Sequence, residues 1–267
     1  MVKEFIYGPF KSRRLGLSLG VDILPKVKTC TFNCVYCEIG STSIKENQLV
    51  PPSCRVDIKP RLKFQKELKS ILKYIPHLDS ITFGYNGEPT LNQNLSDFLQ
   101  IAKKVRENFE WEGEKPKLTL FTNSSTLINK EIRERIKEFE LILAKLDAGT
   151  KEDFKRTNRP HPETPSIQKI IDSLINLKKE LPNGHKLAIQ TLIYLSYDDF
   201  QSNNNQNNIT YLARAIKRIK PDKVQIYSTA RTPAEYYVHA IDDSRKREIR
   251  KRMKQKIRDK SIKIQYF

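Results

Sequence analysis

The sequence has few of the residues that build disulfide frameworks and closed metal sites. Of its 267 residues, four are cysteine and four are histidine. Four cysteines, three of them clustered, do not make a disulfide framework and favour a reducing compartment. No run approaches the roughly eighteen apolar residues of a membrane span. Residues 1–7 lack the apolar core of a signal peptide. We therefore expect a cytoplasmic protein.

Acidic residues are scarce relative to basic ones. The chain has 49 Lys and Arg against 31 Asp and Glu, a net charge of +18. Residues 244–263 contribute half of this excess, with eleven basic residues and two acidic ones. Such a segment is typical of contact with a polyanion, most often nucleic acid. A solvated helix face in a lysine-rich chain explains the same pattern, so both interpretations stay open.

The three clustered cysteines stand in the run Cys30-Thr31-Phe32-Asn33-Cys34-Val35-Tyr36-Cys37. Three thiolates at this spacing can bind three irons of a cubane [4Fe–4S] cluster, which otherwise takes four cysteines. The fourth iron is then open to another ligand. The alternative is a structural zinc site, which wants four protein ligands. Only Cys54 would complete that set, since no histidine lies within thirty residues of Cys37.

Strand-like and helix-like segments alternate along the chain. The predicted strands are 17–24, 80–83, 117–121, 141–146, 186–194, 223–227 and 262–266. The predicted helices are 60–76, 94–109, 129–139, one opened by Ser166 as N-cap, one over 209–219 and a basic one with apolar residues at 249, 253 and 257, while 203–208 is a predicted loop. About six β-α repeats predict an α/β fold with a largely parallel sheet. We expect a core at 1–235 and a basic extension at 236–267 packed on it.

Polar loops follow the predicted strands, where α/β sheets bind their ligands. The cysteine loop comes after the first strand. The later loops are Gly87-Glu88-Pro89, Thr122-Asn123-Ser124-Ser125, Asp147-Ala148-Gly149 and Tyr227-Ser228-Thr229. Because the carboxyl ends of parallel strands share one edge, we expect all of these loops on one rim. Plain turn formation explains any one of them, but not their coincidence with the cysteines.

These motifs together resemble the radical S-adenosylmethionine (SAM) superfamily. The resemblance rests on the cysteine run, with the aromatic Tyr36 before its last cysteine, and on Gly84 to Pro89, which is similar to a Gly-Glu-Pro motif. Further stretches resemble a wyosine-synthase-like group of iron–sulfur oxidoreductases: 7–16, 86–90, 145–149, 158–160 and 190–191. The resemblance extends from about residue 7 to about residue 235 and leaves the basic tail unmatched.

The resemblance implies a partial (βα)6 barrel with the cluster at its open top. The basic helical extension that follows the barrel is predicted from its own sequence pattern. It implies two cofactors, a [4Fe–4S] cluster and S-adenosyl-L-methionine, and an electron donor of ferredoxin or flavodoxin type. One electron from the cluster would cleave SAM into methionine and a 5′-deoxyadenosyl radical, which takes a hydrogen atom from the substrate. The cofactors carry this chemistry, while the protein orients them and excludes water and oxygen.

The resemblance also implies roles for single residues. Cys30, Cys34 and Cys37 are the expected cluster ligands. Tyr36 would pack near the adenine of SAM. Gly87 would let the backbone approach the cofactor, and Glu88 would accept a hydrogen bond from the SAM ammonium, for which a carboxylate is a suitable charge-assisted acceptor.

Other rim residues have open assignments. Asn123 and Ser124 would bond the ribose or the methionine carboxylate of SAM, with a plain turn as the alternative. Gln190, facing inward from a strand, is a similar case. Asp147 is either a contact of substrate or SAM or a strand-end cap. Arg159 and Arg231 lie in predicted loops that reach toward the rim, whereas Arg13 and Arg14 precede the first strand, at its opposite end from the cysteines unless that segment folds over the barrel mouth. Arginines at the rim suit phosphate or carboxylate groups, but a surface arginine is the ordinary explanation for each.

One departure from the resembled group limits the functional prediction. Wyosine synthases of that group carry additional N-terminal cysteines for a second cluster. Here only Cys54 remains, and one thiol does not hold a cluster. We therefore expect no auxiliary cluster within this chain and doubt that it builds the wyosine ring. Cys54 is interpreted as a structural or incidental thiol.

The leading hypothesis is a radical SAM enzyme with one cluster, acting on RNA and in particular on tRNA, bound through residues 244–263. The first alternative is the same chemistry on a small molecule or on a protein, including activation of a partner by making a glycyl radical. The second, from another class, is a non-catalytic zinc- or iron-binding nucleic-acid protein.

Overall fold

An eight-stranded sheet, largely parallel, organises the structure. The structure is a computed structural model that describes residues 4–46, 48–197 and 202–267. Its strands are β1 Ile6–Ser12, β2 Gly16–Val21, β3 Ser80–Phe83, β4 Lys117–Thr122, β5 Leu141–Lys145, β6 Lys186–Leu192, β7 Tyr194–Ser196, β8 Lys223–Tyr227, β9 Val238–Ala240 and β10 Lys263–Tyr266. Its α-helices are α1 Leu62–Leu72, α2 Leu95–Glu107, α3 Lys130–Ile136, α4 Lys151–Asn158, α5 Ile167–Glu180, α6 Gln206–Ile219 and α7 Asp243–Ile257.

The sheet order is β1-β2-β3-β4-β5-β6-β8-β10, and every neighbouring pair from β2 to β10 is parallel. The six strands β2, β3, β4, β5, β6 and β8 are the strands of the predicted partial (βα)6 barrel. Alternate residues such as Leu19, Ile81 and Leu120 point to one face and join the helices in the main apolar core. The other face is polar and lines the barrel. The predicted fold class is confirmed.

The edge strand β1 was not expected from the sequence. It pairs antiparallel with β2, and its register shifts between Tyr7 and Phe10. Pro9 lies in this irregular stretch. Proline lacks the N–H that a ladder requires, so it is tolerated at a bulge on an edge strand but hides the strand pattern. The short antiparallel pair β7 and β9 was missed too, since three residues carry little periodicity.

Two helical segments differ from the prediction. Helix α4 was not predicted because its charged sequence buries only one large apolar side chain, Phe154. Its start is fixed instead by Thr150, whose hydroxyl accepts from the Asp153 N–H. The predicted loop at 203–208 is wrong in its second half. Asn205 caps α6, which already begins at Gln206, by accepting from the Asn208 N–H.

The basic extension completes the sheet. Ile249, Met253 and Ile257 of α7 are buried in the main apolar core, as their spacing predicts. The last strand, β10, pairs in parallel with β8. The boundary between residues 235 and 236 stays a prediction. None of the helices in the described ranges is long and apolar enough to cross a bilayer.

Candidate radical SAM site

The cysteine loop follows β2 and is pinned by the loops that follow other strands. Thr29 forms a bridge with Gly87, which comes after β3, and Phe32 forms one with Pro160, which comes after α4. Thr31 shares a hydroxyl–hydroxyl bond of 2.7 Å with Ser125, which comes after β4. The structure therefore brings these predicted loops together on one rim, at the carboxyl ends of the strands.

Each of the three cysteine sulfurs receives an N–H donor from another residue. The Asn123 side chain donates to Cys30 Sγ at 3.4 Å. The Asn158 side chain donates to Cys34 Sγ at 3.4 Å, and Lys28 Nζ donates to Cys37 Sγ at 3.2 Å. Such donors stabilise sulfur that carries negative charge.

All three cysteines are free, and Cys30 is buried while Cys34 and Cys37 are partly exposed. Burial raises the pKa of Cys30 to about 12, and burial also raises that of Cys34 to about 11. The free thiols of Cys30 and Cys34 would therefore keep their protons at neutral pH until a metal displaces them.

The donor set fits an iron–sulfur cubane better than a single metal ion. In the described part of the chain, no group of three or more His, Cys, Asp or Glu side chains is arranged around one metal position. A cubane does not need that arrangement, because each cysteine binds a different iron. The fourth cysteine, Cys54, is free and partly exposed, and its backbone N–H is bonded to Pro51 O at 2.9 Å.

Glu88 connects the loops after β3 and β4 through hydrogen bonds. It is buried. Its Oε1 accepts from the Thr90 N–H at 3.2 Å and from the hydroxyls of Thr90 and Thr122 at 2.6 and 2.9 Å. Its Oε2 accepts from the Asn123 N–H at 2.5 Å. Burial raises the pKa of Glu88, against the effect of these bonds. The predicted bond from the SAM ammonium would therefore go to Oε2, which has the remaining capacity.

Gly87 permits a close approach, but the partner in this structure is the cysteine loop. Its φ is +136°, and an added Cβ would lie 1.7 Å from the carbonyl oxygen of Thr29. No side chain fits there. The glycine thus lets the loop after β3 press against the backbone that leads into Cys30, and any approach to the cofactor stays a prediction.

The remaining predicted contacts have protein partners. Asn123 also donates to the Thr31 hydroxyl at 2.8 Å, and its Oδ1 accepts from the Ser125 N–H at 3.0 Å. Ser124 has a positive φ of 72° and donates to the Lys145 carbonyl at 3.1 Å. Gln190 is buried and donates to Gln225 Oε1 at 2.8 Å. Their roles toward SAM stay predictions.

Tyr36 lies in a cluster with Lys145, Asp147 and Asn158. Its hydroxyl donates to Asp147 Oδ2, which also accepts from Asn158 at 3.0 Å. Lys145 Nζ lies 4.5 Å from the centre of the Tyr36 ring. Sequence reasoning gave Lys145 and Asn158 no role, although both stand in stretches that carry the resemblance. Lys28 had no signal, because a lone lysine before the motif is indistinguishable from a surface charge.

The four arginines end in different places. Arg159 is paired with Glu235 and donates to the Tyr237 hydroxyl at 2.7 Å. Arg231 is paired with Glu38 at 3.1 Å and is exposed. Arg13 is exposed in the β1–β2 turn. Arg14, from the same turn, reaches across the barrel to the ring of Tyr227, with 4.2 Å between its guanidinium carbon and the ring centre.

Comparison with known proteins decides the family. A sequence profile described as the Radical SAM superfamily matches residues 24–203, which is more than half of the chain. The chain belongs to the radical SAM superfamily. It is 30% identical over 225 residues to the UPF0026 protein slr1464 of Synechocystis sp., covering 83% of this chain and 74% of the relative.

A second relative is much longer. The chain is 29% identical over 238 residues to a protein named GTPase Obg from Brachyspira hyodysenteriae. The match covers 89% of this radical SAM chain but spans only about a third, 32%, of that relative.

Solved structures share the fold at low identity. TYW1 with a lysine-pyruvate adduct bound superposes with a TM-score of 0.62 at 17% identity, covering 89% of this chain and 73% of that one. Streptococcus suis SuiB bound to S-adenosylmethionine gives 0.59 at 15% identity, covering 93% and 50%. At these identities the likeness shows the radical SAM fold alone.

Proposed function

We propose that this chain is a radical SAM enzyme that holds one [4Fe–4S] cluster through Cys30, Cys34 and Cys37 and cleaves S-adenosylmethionine. The observation that carries the proposal is the set of three free cysteines on the rim, each with an N–H donor at its sulfur. The neighbouring Glu88 joins two of the loops that surround them.

The chain's own residues would hold these cofactors. When bound, the cluster and SAM supply one electron and a carbon radical that removes a hydrogen atom from the substrate. Asn123, Asn158 and Lys28 hold the cysteine sulfurs through N–H bonds. Oε2 of Glu88 would accept from the SAM amino group.

RNA, and in particular tRNA, is the proposed substrate class. The structure divides the basic segment into two groups. Arg245, Lys246, Arg250 and Arg252 make bonds within the protein, for example Lys246 Nζ to the Phe267 carbonyl at 3.0 Å. The exposed cations are Arg247, Lys251, Lys254, Lys256, Arg258, Lys260 and Lys263. Helix α6 packs beside α7 and adds exposed Arg214 and Lys217, and exposed Lys220 follows at its C-cap. These exposed cations support contact with a phosphate backbone.

The enzyme proposal is tested by measuring SAM cleavage under anaerobic conditions. Protein reconstituted with iron and sulfide should turn brown and, with SAM and dithionite, release 5′-deoxyadenosine. A colourless protein that binds zinc and leaves SAM intact would favour the non-catalytic alternative. We propose that a ferredoxin- or flavodoxin-type protein donates the electron in the cell. Such a donor should support turnover in place of dithionite.

The substrate class needs a separate test. Modified nucleosides in bulk tRNA are compared between cells with and without the protein. A nucleoside that is missing in the deletion strain supports RNA as the substrate. Identical profiles would favour a protein or a small molecule as the target of the radical.

A further inference from the structure

The inside of the barrel is polar, which is unusual for the centre of a small α/β sheet. Ser18, Ser80, Thr82 and Thr119 are buried and form a chain of hydroxyl bonds of 2.8 Å across β2, β3 and β4. These groups satisfy one another. They leave a lining that accepts a polar ligand without the cost of unpaired donors.

Two cations enter this polar interior and meet at Tyr227. The Arg14 guanidinium lies over the Tyr227 ring, and Lys145 Nζ donates to the Tyr227 hydroxyl at 2.7 Å. Lys145 Nζ is also 5.2 Å from the centre of that ring. The Lys145 side chain is 21% exposed, so a ligand can reach it.

Arg14 and Lys145 have too few acidic partners among the described residues to balance their positive charges. Among the described residues, the acid near Lys145 is Asp147, with 3.9 Å between Nζ and Oδ2. Asp147 is already used by Tyr36 and Asn158, and its Oδ1 accepts from the Leu192 N–H at 2.8 Å. Nη1 of Arg14 is buried and has no hydrogen-bond partner within the described chain. An unpaired cationic donor in such a place is costly unless an anion completes it.

Space exists beside Arg14. A cavity of about 390 Å³ is lined by Arg14, Thr119 and Lys223, among others, and extends toward the amino ends of β3, β4 and β8. It also has Asp79 in its wall, which accepts from the Leu17 N–H at 2.7 Å. The Arg14 side chain thus borders a volume large enough for a small molecule or a substrate group at the amino-terminal end of the barrel, and its guanidinium extends from there to Tyr227.

We propose that Arg14 and Lys145 form an oxyanion subsite inside the barrel, which binds a carboxylate or phosphate group of the substrate. This inference deepens the proposed function and rests on it, because the bound group belongs to a substrate only if the chain is an enzyme. The arginine presents a planar fork to two oxygens, and the lysine adds a point charge. Asn158 bonds both Asp147 and Cys34 Sγ. A group bound at this subsite therefore lies next to the cysteine loop.

The test measures anion binding by the reconstituted, full-length protein without turnover. Phosphate and acetate are titrated separately at constant ionic strength in chloride, and the shift in thermal midpoint gives the affinity. We expect Arg14→Gln to weaken binding of the preferred anion at least about tenfold, the loss of one charge-assisted contact. Arg13→Gln, in the same turn but exposed, should bind like the wild type.

A second variant keeps the test decisive if Arg14→Gln does not fold. Arg14→Lys retains the charge but loses the fork, so acetate affinity should fall more than phosphate affinity. Equal anion affinity in wild type and Arg14→Gln overturns the inference, and so does the absence of any anion effect beyond chloride.

SAM itself carries a carboxylate, so SAM binding is measured by equilibrium dialysis on the same variants. Weaker SAM binding by Arg14→Gln would assign the arginine to the cofactor and overturn the substrate subsite. Wild-type protein that releases 5′-deoxyadenosine but binds neither anion contradicts only this inference. Protein that binds an anion at Arg14 but never cleaves SAM contradicts only the proposed function.

Discussion

The rim of the barrel and the basic face of α7 both carry functional predictions, but they are built differently. On the rim, Glu88 alone receives four hydrogen bonds from three residues, and every cysteine sulfur has a donor. On α7, the exposed cations make few bonds within the protein. The predicted function of the rim therefore depends on hydrogen-bond geometry, and one substitution there disturbs several partners. The predicted function of the exposed face of α7 depends on its charge alone. We expect mutations to show this difference.

The largest effect is expected at a cluster ligand. Cys34→Ala removes one of three thiolates, so the reconstituted variant should hold little or no iron, as measured by iron and sulfide content. Cys54→Ala should load like the wild type, since Cys54 lies outside the rim network. A Cys34→Ala protein with full iron content would refute the ligand assignment.

The next effect is steric. Gly87→Ala should lower the free energy of unfolding by about 3 kcal/mol, because the new Cβ would overlap the Thr29 carbonyl at a positive φ. Gly113→Ala is the matched control, with a φ of +99° and open space around it. It should cost only about 1 kcal/mol of backbone strain. If urea unfolding gives the same loss of unfolding free energy for both variants, the loop after β3 is not tightly packed against the cysteine loop.

A smaller effect is expected at Glu88, on the rim. Glu88→Gln replaces one acceptor oxygen by an NH₂ group, which only donates, so the remaining oxygen cannot accept from both the Asn123 N–H and the threonines. We expect a loss of about 2 kcal/mol in unfolding free energy. Exposed Glu110→Gln should be neutral. If Glu88→Gln is neutral as well, the four hydrogen bonds do not stabilise the rim.

The smallest effect belongs to α7. The double variant Lys251→Glu, Lys254→Glu should weaken tRNA binding about tenfold at low salt. The slope of the logarithm of the binding constant against the logarithm of the salt concentration should fall by the equivalent of about two phosphate contacts. The fold should be unaffected. The same change at Lys103 and Lys104, exposed on α2, is the control. Equal weakening by both pairs would show that net charge, and not the α7 face, binds RNA.

The sequence predicted most of the architecture because the parallel strands keep short apolar or alternating patterns, as in the continuous run of β5 and the alternating residues of β8. The hairpin strand β1 escaped because Pro9 interrupts its pattern, and α4 escaped because its helix start depends on the Thr150 cap more than on apolar spacing. Of the site, the cysteines and the rim loops were predictable from local motifs. The role of Asn158 and the contact of Arg14 with Tyr227 were not, because they join residues far apart in the chain and leave no local pattern. Lys28 was missed because a lone lysine before the motif resembles an ordinary surface charge.

The central claim is that three cysteines hold a cluster with one iron left open for SAM. The most direct measurement is the electron paramagnetic resonance spectrum of the reduced, reconstituted protein before and after SAM is added. We predict a reduced-cluster signal that changes on addition of SAM, because SAM would bind the open iron if the proposal is right. A cluster signal that SAM leaves unaltered, or a protein that assembles no cluster, would contradict the account.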